Sequence, residues 1–169
     1  MSMRGGVNRA CKIAGVVVMA LVLAACSRQA QPKQYGLGGE GPAQPGTSRD
    51  FAVNVGDVVL FLVDSASLTG EAQGTLRNQA RWLNQYPQYT ILIEGHADER
   101  GTREYNIALG ARRAIAVRNF LSAQGVNQAR MRTISYGKER PVATCDDISC
   151  WSQNRRAKTN LNSAAVARY

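Results

Sequence analysis

The sequence predicts an α+β domain of order β-α-β-α-β-β, a mixed sheet with two helices packed against it. Three observations carry this. Short runs rich in β-branched residues recur at Val58–Val63, Thr90–Glu94 and Met131–Tyr136. Two longer stretches with apolar residues at helical spacing lie between them. A last run, Ala157–Leu161, closes the pattern after a long loop. Periodicity alone leaves the strand order open.

Taken in order, Val58–Val63 reads as a buried first strand, closed by Asp64 and Ser65. The first helix starts near Gly70 and Glu71 and turns Leu76, Ala80 and Leu83 one way, with Trp82 and Tyr86 nearby. It stops before Pro87, because the residue preceding proline is pushed out of the helical region. The second strand breaks at Gly95 and enters a polar loop, His96 to Arg103, with Gly101 inside it. The second helix is read from Ala114, Val117 and Leu121, with Arg112 and Arg113 in its first turns and Gly125 as its C′ cap. The loop Gly137–Trp151 holds Pro141 and two cysteines, and a turn at Asn154-Arg155-Arg156 leads to the last strand. The final eight residues carry no strong signal.

Ahead of this domain, residues 1–12 carry Arg4, Arg9 and Lys12 and no acid. Ile13 to Ala25 is an apolar run, shorter than a comfortable membrane span. It ends Leu23-Ala24-Ala25-Cys26, which resembles the bacterial lipoprotein signal. That resemblance implies a diacylglycerol on the Cys26 thiol, cleavage before Cys26 and acylation of the new amine; an ordinary signal peptide with a chance cysteine is the alternative. Several acyl chains anchor stably, at about 0.8 kcal/mol per buried CH₂. Ser27, where an Asp would imply retention at the inner membrane, implies export to the outer membrane. Ser27–Asp50 holds three prolines and five glycines with little apolar content, and reads as a flexible tether. Stretched, it reaches roughly 80 Å. The expected organisation is therefore residues 1–25 as signal peptide, 26–50 as acylated cysteine and tether, and 51–169 as one folded domain.

The full chain carries +9, and residues 1–25 contribute three of those charges, leaving about +6. Basic residues are interleaved with acids, and export removes most access to nucleic acid, so no nucleic-acid partner is expected. Cys11 lies in the leader. Cys145 and Cys150 flank Asp146–Ser149 and are expected to form a disulfide in an oxidising compartment; two reduced thiols are the alternative. A metal site needs more ligands than two cysteines and the one histidine, His96.

The loop after the second strand concentrates charge. It presents Asp98, Glu99 and Arg100, followed by a helix start whose free N–H groups favour anions. Acid and base together suit a zwitterionic ligand. His96, Asp98 and Glu99 do not make a catalytic or metal set: there is no second histidine, no G-x-S-x-G and no HExxH. His96 reads as a hydrogen-bonding loop histidine.

The run Glu94-Gly95-His96-Ala97-Asp98-Glu99-Arg100-Gly101-Thr102 continues with Tyr105-Asn106, Leu109, Arg112-Arg113-Ala114, Val117 and Leu121. Gly125-Val126, Ser135–Glu139, Pro141 and Asn154–Arg156 follow in fixed order. This set resembles the OmpA-like peptidoglycan-binding domain, most closely in the peptidoglycan-associated lipoproteins, over about Val58 to Thr159. The resemblance implies the same fold and a binding protein, not an enzyme. The ligand it implies is the diaminopimelate of the peptidoglycan stem peptide, with Asp98 accepting the ammonium and Arg113 clamping the carboxylate bidentately. It places Asp64 at the pocket rim, Arg100 and Thr102 in the loop, Asn106 at the helix start and Leu109 on the pocket wall. For Asp98 and Arg113 the alternative is a plain ion pair, for Thr102 an N-cap, and for Asn106 a turn or cap former. Arg155 and Arg156 read as a solvated face, or as packing behind the loop.

Two positions depart from the family pattern: Leu62, where an acid or glycine is usual, and Gly110, which replaces a common serine before the second helix and weakens a cap. The resemblance further implies the Tol system as partner, with TolB competing for the peptidoglycan surface, and a role in envelope integrity and outer-membrane constriction at division. No cofactor is expected beyond the lipid on Cys26. The competing classes are a wall-acting amidase and a basic adaptor for nucleic acid or lipopolysaccharide.

Overall fold

The computed structural model describes residues 43–163. The expected signal peptide, the expected lipid site Cys26 and the expected tether up to residue 42 lie outside the described residues, as does the tail from 164. A helical turn Ser48–Asp50 runs into a π-helical turn, Phe51–Gly56. There follow β1 (Val58–Leu60), α1 (Gly70–Gln85), β2 (Tyr89–His96), α2 (Arg103–Ala123), a 3₁₀ turn, β3 (Met131–Gly137), α3 (Ile148–Asn154) and β4 (Arg156–Ser163). The sheet has order β1-β4-β2-β3, with β2 and β3 parallel and the other pairs antiparallel.

Alternation decides which face of the sheet is covered. Ile91 and Ile93 of β2, Val59 of β1 and Ala157 of β4 point to one side and join Leu76, Leu83, Val117 and Leu121 of the two helices in the core. α1 starts where the Thr69 hydroxyl accepts from the Ala72 N–H. α2 ends in a C-terminal cap, with Gly125 at φ 90° and the Val126 N–H donating to the Leu121 carbonyl at 3.1 Å.

Several sequence expectations are corrected. β1 ends at Leu60, and Leu62 and Val63 are exposed, because the chain turns away through Asp64 at φ 51°. β2 does not break at Gly95: Gly95 is paired on both sides, and the strand runs on to His96, which pairs with β3 alone after a register shift. Gly95 serves a different end. It sits under Gly110, where a Cβ would lie 2.8 Å from the Gly95 carbonyl oxygen. Gly110 is therefore not a weakened cap but a close-packing position inside α2, which starts at Arg103. Arg112 and Arg113 consequently lie in the third turn of α2, not at its start.

The long loop contains a helix that periodicity missed. α3 is capped by the Asp147 carboxylate, which accepts from the Ser149 N–H at 2.7 Å, and a Cys145–Cys150 disulfide with Cα atoms 5.6 Å apart ties its first turn. The folded unit also begins earlier than Phe51. Asp50, read as tether, is buried and accepts from Trp82 Nε1 at 2.8 Å and the Gly46 N–H at 2.9 Å. Phe51 packs edge-on against Trp82.

Candidate functional site

A cavity of about 270 Å³ opens where the loop after β1, the loop after β2 and α2 converge. Asp64, Asp98, Arg100, Asn106, Leu109 and Arg113 line it, so six of the seven expected binding residues meet. Thr102 does not line it. Its hydroxyl accepts from the Tyr105 N–H at 3.2 Å, the N-cap of α2. Val63, Gly101 and Tyr105 also face the cavity.

Each wall has a local cause. The bend at Gly101, with φ 87°, turns the chain from β2 into α2 and folds Asp98 back over the helix. Asn106 is buried and its amide donates to the Arg100 carbonyl at 2.8 Å, fixing the loop to α2. Arg113 is fully buried. Its Nε donates to the Ser65 carbonyl at 2.8 Å, Nη1 to the His96 carbonyl at 2.7 Å and Nη2 to the Leu62 carbonyl at 3.1 Å. One guanidinium thus ties the loop after β1 and the end of β2 to α2. Burial lowers its pKa to about 10, with Asp98 opposing that shift; it remains a cation at neutral pH.

Asp98 is buried at the mouth. Arg100 Nη2 donates to it at 2.7 Å, and Arg155 Nη1 reaches it from behind at 3.4 Å. Burial pulls the Asp98 carboxyl up, but the bonds and charge of Arg100, together with Arg155, outweigh it and hold the group below the ordinary carboxylate range. The Arg100 side chain is half-exposed, whereas Arg155 is buried and also donates to the Phe61 carbonyl at 3.1 Å.

Asp98 and Arg113 are not the simple ion pair that was the alternative: each is bonded elsewhere. Three of the five Arg113 N–H groups hold carbonyls, which leaves one N–H on each terminal nitrogen unassigned. Arg155 and Arg156 are buried, not a solvated face. Arg155 packs behind the loop, and Arg156 donates to the Arg140 carbonyl. His96 is not a loop residue making hydrogen bonds. It ends β2, buried, and among the described residues neither ring nitrogen has a hydrogen-bond partner.

Sequence reasoning missed Tyr105, which lines the cavity, and Trp151, which lies outside it and supports Arg100. The Tyr105 hydroxyl donates to Asp64, which raises the phenol pKa. Trp151 of α3 donates to Glu99, and Arg100 lies over its ring at 4.3 Å. The Tyr105-Asn106 pair in the motif was a signal for the first; nothing local announces the second, because α3 was not foreseen. Cys145 borders a neighbouring cavity with Glu99 and Lys138, and neither cysteine lines the Asp98 cavity. Among the described residues there is no acid, cysteine and histidine cluster able to hold a metal, and no helix long and apolar enough to cross a membrane.

Comparison with known proteins matches residues 60–155 to the OmpA family. The chain is 60% identical over 154 residues to the peptidoglycan-associated lipoprotein of Agrobacterium fabrum, covering 89% of this chain and 87% of that one. It is 47% identical over 124 residues to that of Pseudomonas aeruginosa, covering 73% of each. The crystal structure of the Burkholderia pseudomallei peptidoglycan-associated lipoprotein superposes with a TM-score of 0.61 at 48% identity, over 63% of this chain and 90% of that one. The OmpA-like domain of Francisella tularensis FopA1, at 18% identity and a TM-score of 0.56, shares the fold. The chain belongs to the OmpA family and, within it, to the peptidoglycan-associated lipoproteins, which are binding proteins and not enzymes.

Proposed function

We propose that this protein holds peptidoglycan non-covalently through the diaminopimelate of the stem peptide, bound in the Asp98 cavity. The observation that carries the reading is that one small cavity joins a depressed carboxylate, Asp98, to a wall built on the buried cation Arg113. The ligand's ammonium replaces Arg100 on Asp98. Arg100 is the displaceable partner, because its side chain is half-exposed and solvent screens its hold on Asp98, whereas Arg155 is buried. The ligand's carboxylate is drawn to the positive end of the cavity, where Arg113 supplies charge and the freed Arg100 supplies donors. Asp64 and Tyr105 close the rim, and Leu109 packs against the aliphatic chain. A stem peptide with lysine in place of diaminopimelate offers the ammonium without the second carboxylate, and leaves the cation uncompensated.

On this reading Cys26 carries the lipid that anchors the chain in the outer membrane, and the following segment lets the domain reach the wall. The Tol proteins are its partners, with TolB competing for the Asp98 face, in maintaining envelope integrity and constricting the outer membrane at division. The test is co-sedimentation of the protein from Ser27 onward with peptidoglycan containing either diaminopimelate or lysine. Retention by the first alone supports the reading; equal retention by both refutes it.

A further inference from the structure

The sheet face turned away from α1 and α2 carries a second cavity, of about 400 Å³. The strand register explains its composition. Val58, Lys158 and Glu94 form one row across β1, β4 and β2, and Leu60 and Arg156 belong to the next, with His96 beside them at the end of β2. Arg140 and Val142 reach over from the loop after β3.

Two side chains aimed into this cavity are more than nine-tenths buried and incompletely bonded. His96 is 1% exposed, and among the described residues both ring nitrogens lack a hydrogen-bond partner; Nε2 stands 3.6 Å from Glu94, beyond hydrogen-bond range. Arg156 is 6% exposed, and its Nη1 has no partner while its Nη2 holds the Arg140 carbonyl at 3.1 Å. Buried polar groups are normally satisfied, so such a pair side by side marks a place for a ligand atom. The charges agree. Arg140, Arg156 and Lys158 outnumber Glu94, with Asp57 3.6 Å from Lys158 at the edge. Val58, Leu60 and Val142 add exposed apolar surface.

We propose that this cavity binds a phosphate group carried on a small apolar body, at a site separate from the Asp98 cavity. Arg156 Nη1 and Lys158 donate to the phosphate oxygens, the His96 ring N–H completes the cradle, and the aliphatic side chains cover the carrier. Burial first, then the charge of Arg156, with Arg140 adding and Glu94 opposing, hold the His96 pKa at about 4. A bound phosphate offsets those cations, so ligand and proton favour each other on His96.

His96 is the chain's only histidine, so its ring proton resonances report this site and no other. The protein from Ser27 onward is titrated with phenyl phosphate, inorganic phosphate and acetate at matched ionic strength. The expected result is a saturable His96 shift with phenyl phosphate, a several-fold weaker one with inorganic phosphate, and a raised His96 pKa in the complex. The Arg140→Gln, Lys158→Gln double variant, which keeps the reporter and leaves the Asp98 cavity untouched, weakens phenyl phosphate about tenfold or more without changing peptidoglycan sedimentation. Shifts that only track ionic strength overturn the site. Acetate saturating as tightly overturns the phosphate assignment, and inorganic phosphate doing so overturns the apolar carrier. A double variant that binds as the wild type does overturns the assigned cations.

Discussion

Asp98 and Arg113 face one cavity without bonding to each other: Asp98 is held by Arg100 and Arg155, and Arg113 by the carbonyls of Leu62, Ser65 and His96. Opposite charges thus line one cavity of about 270 Å³ without pairing. The two residues differ in what their removal does.

Arg113→Ala is expected to unfold the site and not merely empty it. It strands three carbonyls and deletes a fully buried side chain, at a cost of about 3 kcal/mol or more. Urea denaturation at pH 7 checks this. An unchanged midpoint would mean that Arg113 serves only the ligand.

Gly110→Ala separates propensity from packing. Helix propensity alone predicts a gain of about 1 kcal/mol from replacing a mid-helix glycine. The added Cβ, 2.8 Å from the Gly95 carbonyl oxygen and crowding Ser135, predicts a loss of about 1–3 kcal/mol. The sign of the change in melting temperature decides between them.

Asp50→Ala tests where the folded unit starts. The variant leaves Trp82 Nε1 and the Gly46 N–H without their acceptor, and is expected to lower stability by about 2 kcal/mol. If residues up to Asp50 were only a tether, the substitution would leave the unfolding midpoint where it was.

The His96 pKa, held at about 4 against an ordinary 6.5, makes stability fall in acid. Between pH 6.5 and 4 the unfolded chain takes up a proton that the folded chain refuses, so folding is favoured above this window and weakened as pH falls through it. The full shift corresponds to about 3 kcal/mol. His96→Phe removes this contribution, so the loss of stability between pH 7 and 4.5 is expected to shrink. Equal losses in both proteins would place the titration elsewhere.

The alternation of Ile91 and Ile93 and the spacing of Ala114, Val117 and Leu121 made β2 and α2 legible, because each buries one face. The ends were less so. Gly95 looks like a strand breaker until Gly110 is seen above it, a contact made across the chain and invisible to local pattern. α3 rests on the Asp147 cap and a disulfide, and too few apolar residues announce it. The motif residues Asp98, Asn106 and Leu109 were readable as a set. Arg113 was readable as a site residue, but its hold on three backbone carbonyls was not, since those lie 17 to 51 residues away in the chain.

The central claim is that Asp98 receives the ammonium of diaminopimelate. Titration calorimetry of the protein from Ser27 onward with a diaminopimelate stem peptide tests it most directly, using Asp98→Asn, which keeps the shape and removes the charge. The account predicts one saturating site in the wild type and a loss of about 3 kcal/mol, roughly a hundredfold, in the variant, with its melting transition still cooperative. Unchanged affinity in a folded Asp98→Asn protein would contradict it.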